Sequence, residues 1–241
     1  MTIYKQEITY KDSKIKILVD KKPLIKTAFD ELVKQRTEIE KYIEKDNFFK
    51  SSLGPIKTAK APKIAEEMAL GAEIANTGPM AAVAGTISEF VCRKLIKEGA
   101  ETAIVENGGD IYAITKNPVI IGLFAGKNSL AGKIAFRLDK NNTPIAVCSS
   151  SSKLGHSISF GRCDLATVFS KKAAVADAAA TQLANKIKEE HDIGPRLKEI
   201  AKLRGVDGAL AIKNKKIGFI GKLPPLIRTD DNKIEEKVTR F

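Results

Sequence analysis

Apolar and polar positions alternate at the start of the chain, where Ile3, Glu7–Thr9 and Ile15–Val19 flank the turn 11-KDS-13, and this two-residue period predicts an N-terminal β-hairpin. The period then lengthens. Leu24, Ala28, Phe29, Leu32, Val33, Ile39, Tyr42 and Ile43 recur at helical spacing through 23–46 and predict an amphipathic helix. The stretch 47-NFFKSSLGPIKTAKAP-62 carries Ser, Gly and Pro, which break the helix and predict a connection. Helical spacing returns in 62-PKIAEEMALGAEIA-75 and in 81-AAVAGTISEFVCRKLIKEG-99, with Gly78-Pro79 between them and Gly99 placed as a C-cap.

From residue 101 the pattern becomes that of strands. Short β-type runs stand at 102-TAIVE-106, 111-IYAIT-115, 118-PVIIGLF-124, 132-GKIAFRL-138 and 144-PIAVCS-149, joined by NGGD, KNP, AGKNS and DKNN turns, and predict an antiparallel meander. The segment 153-KLGHSISFGRCD-164 reads as a polar loop, 165-LATVF-169 as a strand and 171–188 as an alanine-rich helix. A short helix around 195–204 and a hairpin of 208-GALAIK-213 with 216-KIGFI-220 follow, and the charged tail after Pro225 is expected to be peripheral. Helices followed by a run of strands, without strict alternation, predict an α+β fold with helices packed on one face of an antiparallel sheet.

Composition narrows the class. With 241 residues, 43% hydrophobic and 29% charged, the chain suits one globular domain. Its expected parts are an N-terminal hairpin and helix at 1–50, a core at 60–190 and a C-terminal helix and hairpin at 191–241. No apolar run approaches the roughly 20 residues of a membrane helix, and MTIYKQEITYKDSK lacks a signal-peptide core, so a cytoplasmic location is expected. Cys92, Cys148 and Cys163 stand far apart and read as reduced thiols, the first two in apolar settings. The net charge of +12 invites a nucleic-acid reading. However, the lysines are interleaved with acids on helices, as in 30-DELVKQRTEIEKYIEK-45, a pattern of solvated faces with i,i+4 pairs, and no nucleic-acid partner is expected.

Three stretches could carry chemistry. In 173-AAVADAAATQLA-184, Asp177 and Thr181 lie four apart, so a helix presents a carboxylate and a hydroxyl on one face. These hard oxygen donors suit Mg²⁺ when phosphate and water complete its shell, although Thr can equally bond its own i−4 carbonyl and Asp can serve a helix N-terminus. In 105-VENGGDIY-112, Gly108 and Gly109 permit positive φ and expose backbone N–H groups to an anion, or simply form a tight hairpin. The loop 155-GHSISFGRCD-164 gathers His156, Arg162 and Asp164 between glycines: His156 could act as a general base or orient a carboxylate, and Arg162 could hold a phosphate.

Taken in order, 82-AVAGTISEFVCRKLIKEGAETAIVENGGDIY-112, the His156 loop and 173-AAVADAAAT-181 resemble the ApbE-like superfamily of flavin transferases, nearest to a short, cytoplasmic, largely archaeal branch. The resemblance implies an ApbE-like T-fold with the ligand held between sheet and helices. It also implies Mg²⁺ on Asp177, Thr181 and the Ala84 carbonyl, a cofactor-binding role for Gly108, Gly109, Asp110 and Arg162, and a catalytic or positioning role for His156. The activity implied is Mg²⁺-dependent binding of FAD or a related nucleotide diphosphate, with FMN transfer to a protein threonine or pyrophosphate cleavage. The sequence departs from the transferases in two places. Gly85 and Thr86 stand in the segment where they carry a lysine, and His156 is followed by Ser-Ile-Ser-Phe where they have an Asp-Pro turn. These departures motivate an alternative, a non-catalytic accessory or small-metabolite-binding protein, whose implied partner is an enzyme of sulfide assimilation and homocysteine formation. A homodimer is a further expectation from the resemblance.

Overall fold

The computed structural model describes residues 2–123, 134–151, 161–228 and 239–240. Strands β1 (Tyr4–Tyr10) and β2 (Ser13–Val19) form the expected hairpin around a two-residue turn in which Lys11 takes φ +53°. Helix α1 (Leu24–Lys45) buries Ala28, Leu32, Gln35, Ile39 and Tyr42, one face at helical spacing. Arg36, on the same helix, donates to the Ser13 hydroxyl at 2.7 Å, which ties α1 to the hairpin. The connection that follows contains a single helical turn, α2 (Phe48–Ser51), which the sequence pattern did not predict; it buries Phe49 against Tyr42, with ring centroids 5.1 Å apart.

Helix α3 (Lys63–Ala75) ends where Asn76 turns left-handed at φ +52°, and the Thr77 N–H reaches back to the Ala72 carbonyl at 3.0 Å. Asn tolerates that conformation because its short amide can bond locally. A 3₁₀ turn (Pro79–Ala82) leads into α4 (Val83–Lys97). Strands β3 (Ala103–Asn107), β4 (Asp110–Ile114), β7 (Ile145–Ser150) and β8 (Leu165–Ser170) continue the sheet begun by the hairpin. The alanine-rich helix is α5 (Ala173–Lys186), followed by α6 (Ile193–Ile200) and the hairpin β9 (Val206–Lys213) and β10 (Lys216–Gly221).

The large sheet is antiparallel in the order β1-β2-β3-β4-β7-β8-β9-β10. Two strands depart from the predicted meander: β5 (Val119–Gly122) and β6 (Ile134–Leu138) leave it and pair with each other. The tail, expected to be peripheral, supplies β11 (Leu226–Arg228) beside β6 and β12 (Thr239–Arg240) beside β5, completing a second sheet of four strands. The reason is the unpaired backbone along both outer edges of the β5–β6 hairpin, which the tail satisfies.

Alternation along the strands divides the core in two. Ala103, Val105, Tyr112, Ala146, Cys148, Ala166 and Val168 face the helices, while Ile104, Ile111, Val147, Phe169 and Leu210 face the small sheet through Phe136 and Ile121. The helices thus pack on one face as predicted, and the small sheet covers the other. Helix α5 is buried around most of its circumference, which explains its composition. Alanine lets α3 approach so closely that a Cβ added at Gly71 would stand 2.4 Å from the Ala174 carbonyl oxygen.

Candidate functional site

The β3–β4 hairpin turns through Gly108 and Gly109 at φ +62° and +104°, with Asn107 paired to Asp110. Positive φ at both central residues is the two-residue turn whose twist matches the strands, and it admits glycine at little cost. An added Cβ at either glycine would meet nothing within 4 Å, so conformation rather than crowding selects them, and the turn's outer surface stays open. The turn sets Asp110 on the helix-facing side with Tyr112. The Asp110 carboxylate accepts the Ser149 N–H at 3.1 Å and its carbonyl accepts the Ser88 hydroxyl at 3.0 Å. The hairpin is thereby fastened to β7 and to α4.

Helices α4 and α5 cap one another. The Asp177 carboxylate on α5 accepts the Gly85 N–H in the first turn of α4 at 2.8 Å, and the Glu89 carboxylate on α4 accepts the Ala173 N–H at the start of α5 at 2.7 Å. First-turn N–H groups have no partner within their own helix, and neither helix start has a side-chain cap of its own. A carboxylate lent by the neighbour satisfies them and complements the positive end of the helix dipole. The exchange requires Gly85: a Cβ there would stand 2.9 Å from the Asp177 Cβ, 3.0 Å from the Cys148 sulfur and 3.1 Å from the Ala173 carbonyl oxygen. Glu89 also receives Arg93 Nε at 2.7 Å, and the guanidinium lies 5.1 Å from the centre of the Tyr112 ring.

Asp110, Cys148 and Asp177 therefore converge beneath the first turn of α4. Burial pushes the Asp177 carboxyl up to about 7, against the lowering influence of the Gly85 and Ala84 N–H groups. Burial first, and the neighbouring Asp177 second, hold Asp110 well above the usual carboxylate range, and burial with both carboxylates raises the Cys148 thiol. Cys148 thus borders a polar nest as well as the apolar core expected for it. Among the described residues, neither carboxyl has an ion pair; their partners are N–H groups and a thiol. Two buried carboxylates without a balancing cation are unfavourable unless protonated or metal-bound.

The donor set fits a hard divalent cation. Asp177 offers carboxylate oxygen, Thr181 stands one turn further along α5, and Ala84 is partly exposed, with its carbonyl 3.4 Å from the Asn107 amide nitrogen. Among the described residues no group of three or more His, Cys, Asp and Glu side chains is set to hold a metal ion, so a cation here would need oxygen donors of other kinds.

Thr181 is half-buried, one helical turn beyond Asp177 on α5. It borders a cavity of about 420 Å³ shared by the turn after α3 and the end of α2. Arg162 points to the surface, where it meets Glu189 at 3.8 Å, and its N–H bonds the Ile187 carbonyl at 2.9 Å. Asp164, in the same predicted loop, is buried and accepts the Asn214 N–H at 2.6 Å, stabilising the β9–β10 turn. His156 lies outside the described residues. The sequence analysis missed Glu89, Ser149 and the contact of Cys148 with the carboxylates. Only the Glu89–Arg93 spacing carried a local signal, since the remaining contacts join residues distant in the chain.

Comparison with known proteins supplies a frame for this geometry. The profile of the family described as "AbpE bacteria" matches residues 3–201. A UPF0280 protein of Methanocaldococcus jannaschii is 41% identical over 233 residues, covering 94% of each chain. Among solved structures, the apo flavinyl transferase ApbE of Pseudomonas stutzeri superposes with a TM-score of 0.62 at 14% identity, covering 95% of both chains. The ApbE protein of Thermotoga maritima superposes with a TM-score of 0.60 at 12% identity, covering 95% of this chain and 97% of its own. At such identity the superpositions establish the fold alone.

Proposed function

Since the chain belongs to the ApbE-like family, and within it resembles the archaeal UPF0280 proteins, we propose that it binds FAD or a related nucleotide diphosphate with Mg²⁺, at the junction of α4, α5 and the β3–β4 turn. The observation that supports this most is the pair of buried carboxylates, Asp110 and Asp177, lying together with no ion pair among the described residues, next to an open Gly-Gly turn. Asp177, Thr181 and the Ala84 carbonyl would hold the metal. Bound there, Mg²⁺ supplies positive charge that neutralises and polarises a diphosphate.

The chain's own groups do the rest. N–H groups around Gly108 and Gly109 approach an anion without side-chain obstruction, and Asp110, anchored by Ser149, fixes the turn that presents them. His156 would position the ligand or move a proton, and Arg162 would meet a phosphate. Calorimetry of FAD binding in the presence of Mg²⁺ tests the assignment. Asp177→Ala is expected to abolish the Mg²⁺-dependent component while the far-ultraviolet spectrum of the fold persists, and undiminished Mg²⁺-dependent binding in that variant would remove the proposal.

One observation favours holding over transfer. Gly85 packs too tightly against Asp177 and Cys148 for any side chain, and the neighbouring Thr86 is buried with its hydroxyl turned back to the Ala82 carbonyl at 2.5 Å. Neither position leaves room for the lysine that the transferases carry in this segment, so its charge on the phosphates is not supplied from here. In this second reading the protein holds a flavin or another small anionic metabolite, and the purified protein binds FAD without releasing AMP.

A further inference from the structure

Asn107 has no backbone reason to be asparagine. It is the last residue of β3, paired with Asp110, and the turn positions that need positive φ are filled by Gly108 and Gly109, while Asn107 itself does not take positive φ. Asparagine is disfavoured in strands. Yet this one is only 8% exposed, in the row of β3 that faces the helices with Ala103 and Val105. Its Nδ2 donates to the Ala84 carbonyl at 3.4 Å, longer than the roughly 2.9 Å usual for such a bond, so turning the amide gives up little. Its Oδ1 accepts no hydrogen bond among the described residues and is not one of the sealed, unpaired oxygens of the core.

The surroundings give that oxygen a use. Ala84 adjoins Gly85, and the N–H groups of both are directed at the Asp177 carboxylate, so the amide stands one carbonyl away from the buried carboxylate pair. A hard cation there needs neutral oxygen donors beside its carboxylate. The nearby hydroxyls of α4 are committed: Thr86 returns its own to the Ala82 carbonyl at 2.5 Å, and Ser88 donates to the Asp110 carbonyl at 3.0 Å. Asn107 Oδ1 is uncommitted. A side-chain amide carries donor and acceptor on one planar group, and a half-turn about its last torsion exchanges them. With a cation on the Ala84 carbonyl, an N–H aimed at the same oxygen is repelled and the carbonyl end of the amide is attracted.

We propose that Asn107 is a further metal ligand of the α4–α5 site, its amide turning so that Oδ1 joins the Ala84 carbonyl and the Asp177 carboxylate on a divalent cation. The inference rests on the metal reading above and adds to it a residue from the β3–β4 hairpin. Cation binding then ties the turn that carries Gly108 and Gly109 to the start of α4, which couples the anion-facing N–H groups to the metal.

Mg²⁺ and Cd²⁺ are the probes, titrated calorimetrically at pH 8 into the full chain with and without FAD. Asn107→Leu is expected to weaken Mg²⁺ binding by about tenfold or more. Asn107→Asp cannot donate to Ala84 but offers a charged oxygen, and is expected to tighten it. Asn107→Cys exchanges a hard oxygen for a soft sulfur, and should lower the affinity for Mg²⁺ while raising that for Cd²⁺ relative to the wild-type chain, whose three thiols are common to both proteins. An amide that only donates to Ala84 would leave the preference between Cd²⁺ and Mg²⁺ at its wild-type value in Asn107→Cys, and that result overturns the proposal even should Asn107→Leu fail to fold. The failures are distinguishable: Mg²⁺ binding that is lost in Asp177→Ala but unchanged in the Asn107 variants removes Asn107 alone, and a wild-type chain that binds no Mg²⁺ under either condition removes the metal reading and this inference together.

Discussion

At the residue scale, Asp177 serves two demands with one carboxylate: it caps α4 through Gly85, and it is the strongest candidate to bind a cation. The two demands make opposite predictions with pH. The folded-state value of about 7 lies above the usual carboxylate value of 3.8, so the folded chain keeps a proton that the unfolded chain releases between those limits. Stability from this group is therefore complete below about pH 4 and is lost as pH rises through about 7. Thermal melts without metal should show that loss, on the order of a few kcal/mol, with Asp177→Asn flattening the slope and Mg²⁺ opposing it at pH 8. A slope unchanged in Asp177→Asn would place its origin elsewhere. Gly85→Ala is a sharper perturbation, since the new methyl meets the Asp177 Cβ and the Cys148 sulfur. It should cost about 1–3 kcal/mol in urea unfolding.

At the element scale, the exchange of caps between α4 and α5 locks the geometry on which the candidate site depends. Glu89→Ala deprives the Ala173 N–H of its acceptor and Arg93 of its partner, and should destabilise the fold by about 1–3 kcal/mol. Glu89→Gln keeps an acceptor and should recover part of the loss, a difference that equilibrium denaturation resolves. The elements themselves were legible in the sequence because helical and strand periods are local: α1, α3, α4 and α5 lie within a few residues of their predicted spans. The caps were not legible, because 92 residues separate Asp177 from Gly85 and no local pattern joins them.

At the scale of the whole molecule, the fold class followed from the order of helices and strands, and the resemblance came from short motifs around Asp110 and Asp177. The second sheet did not follow from either. A hairpin that leaves a sheet has the same alternation as one that stays, and residues 226–228 are too few for a periodic signal. The account of that sheet predicts that truncation after Pro225 unpairs both outer edges of the β5–β6 hairpin. Such a chain should melt earlier and self-associate in light scattering, while keeping Mg²⁺-dependent ligand binding on the opposite face of the large sheet. Loss of binding at an unchanged melting temperature would contradict that separation.

The most direct test of the central claim is a magnesium titration of the full chain with FAD, following flavin fluorescence and AMP release together. The account predicts saturable Mg²⁺-dependent binding that Asp177→Ala abolishes. AMP release would add flavin or pyrophosphate chemistry, and its absence would favour the holding role suggested by Gly85. FAD binding that is absent, or indifferent to both Mg²⁺ and Asp177, would contradict the claim and leave the buried carboxylates as structural caps.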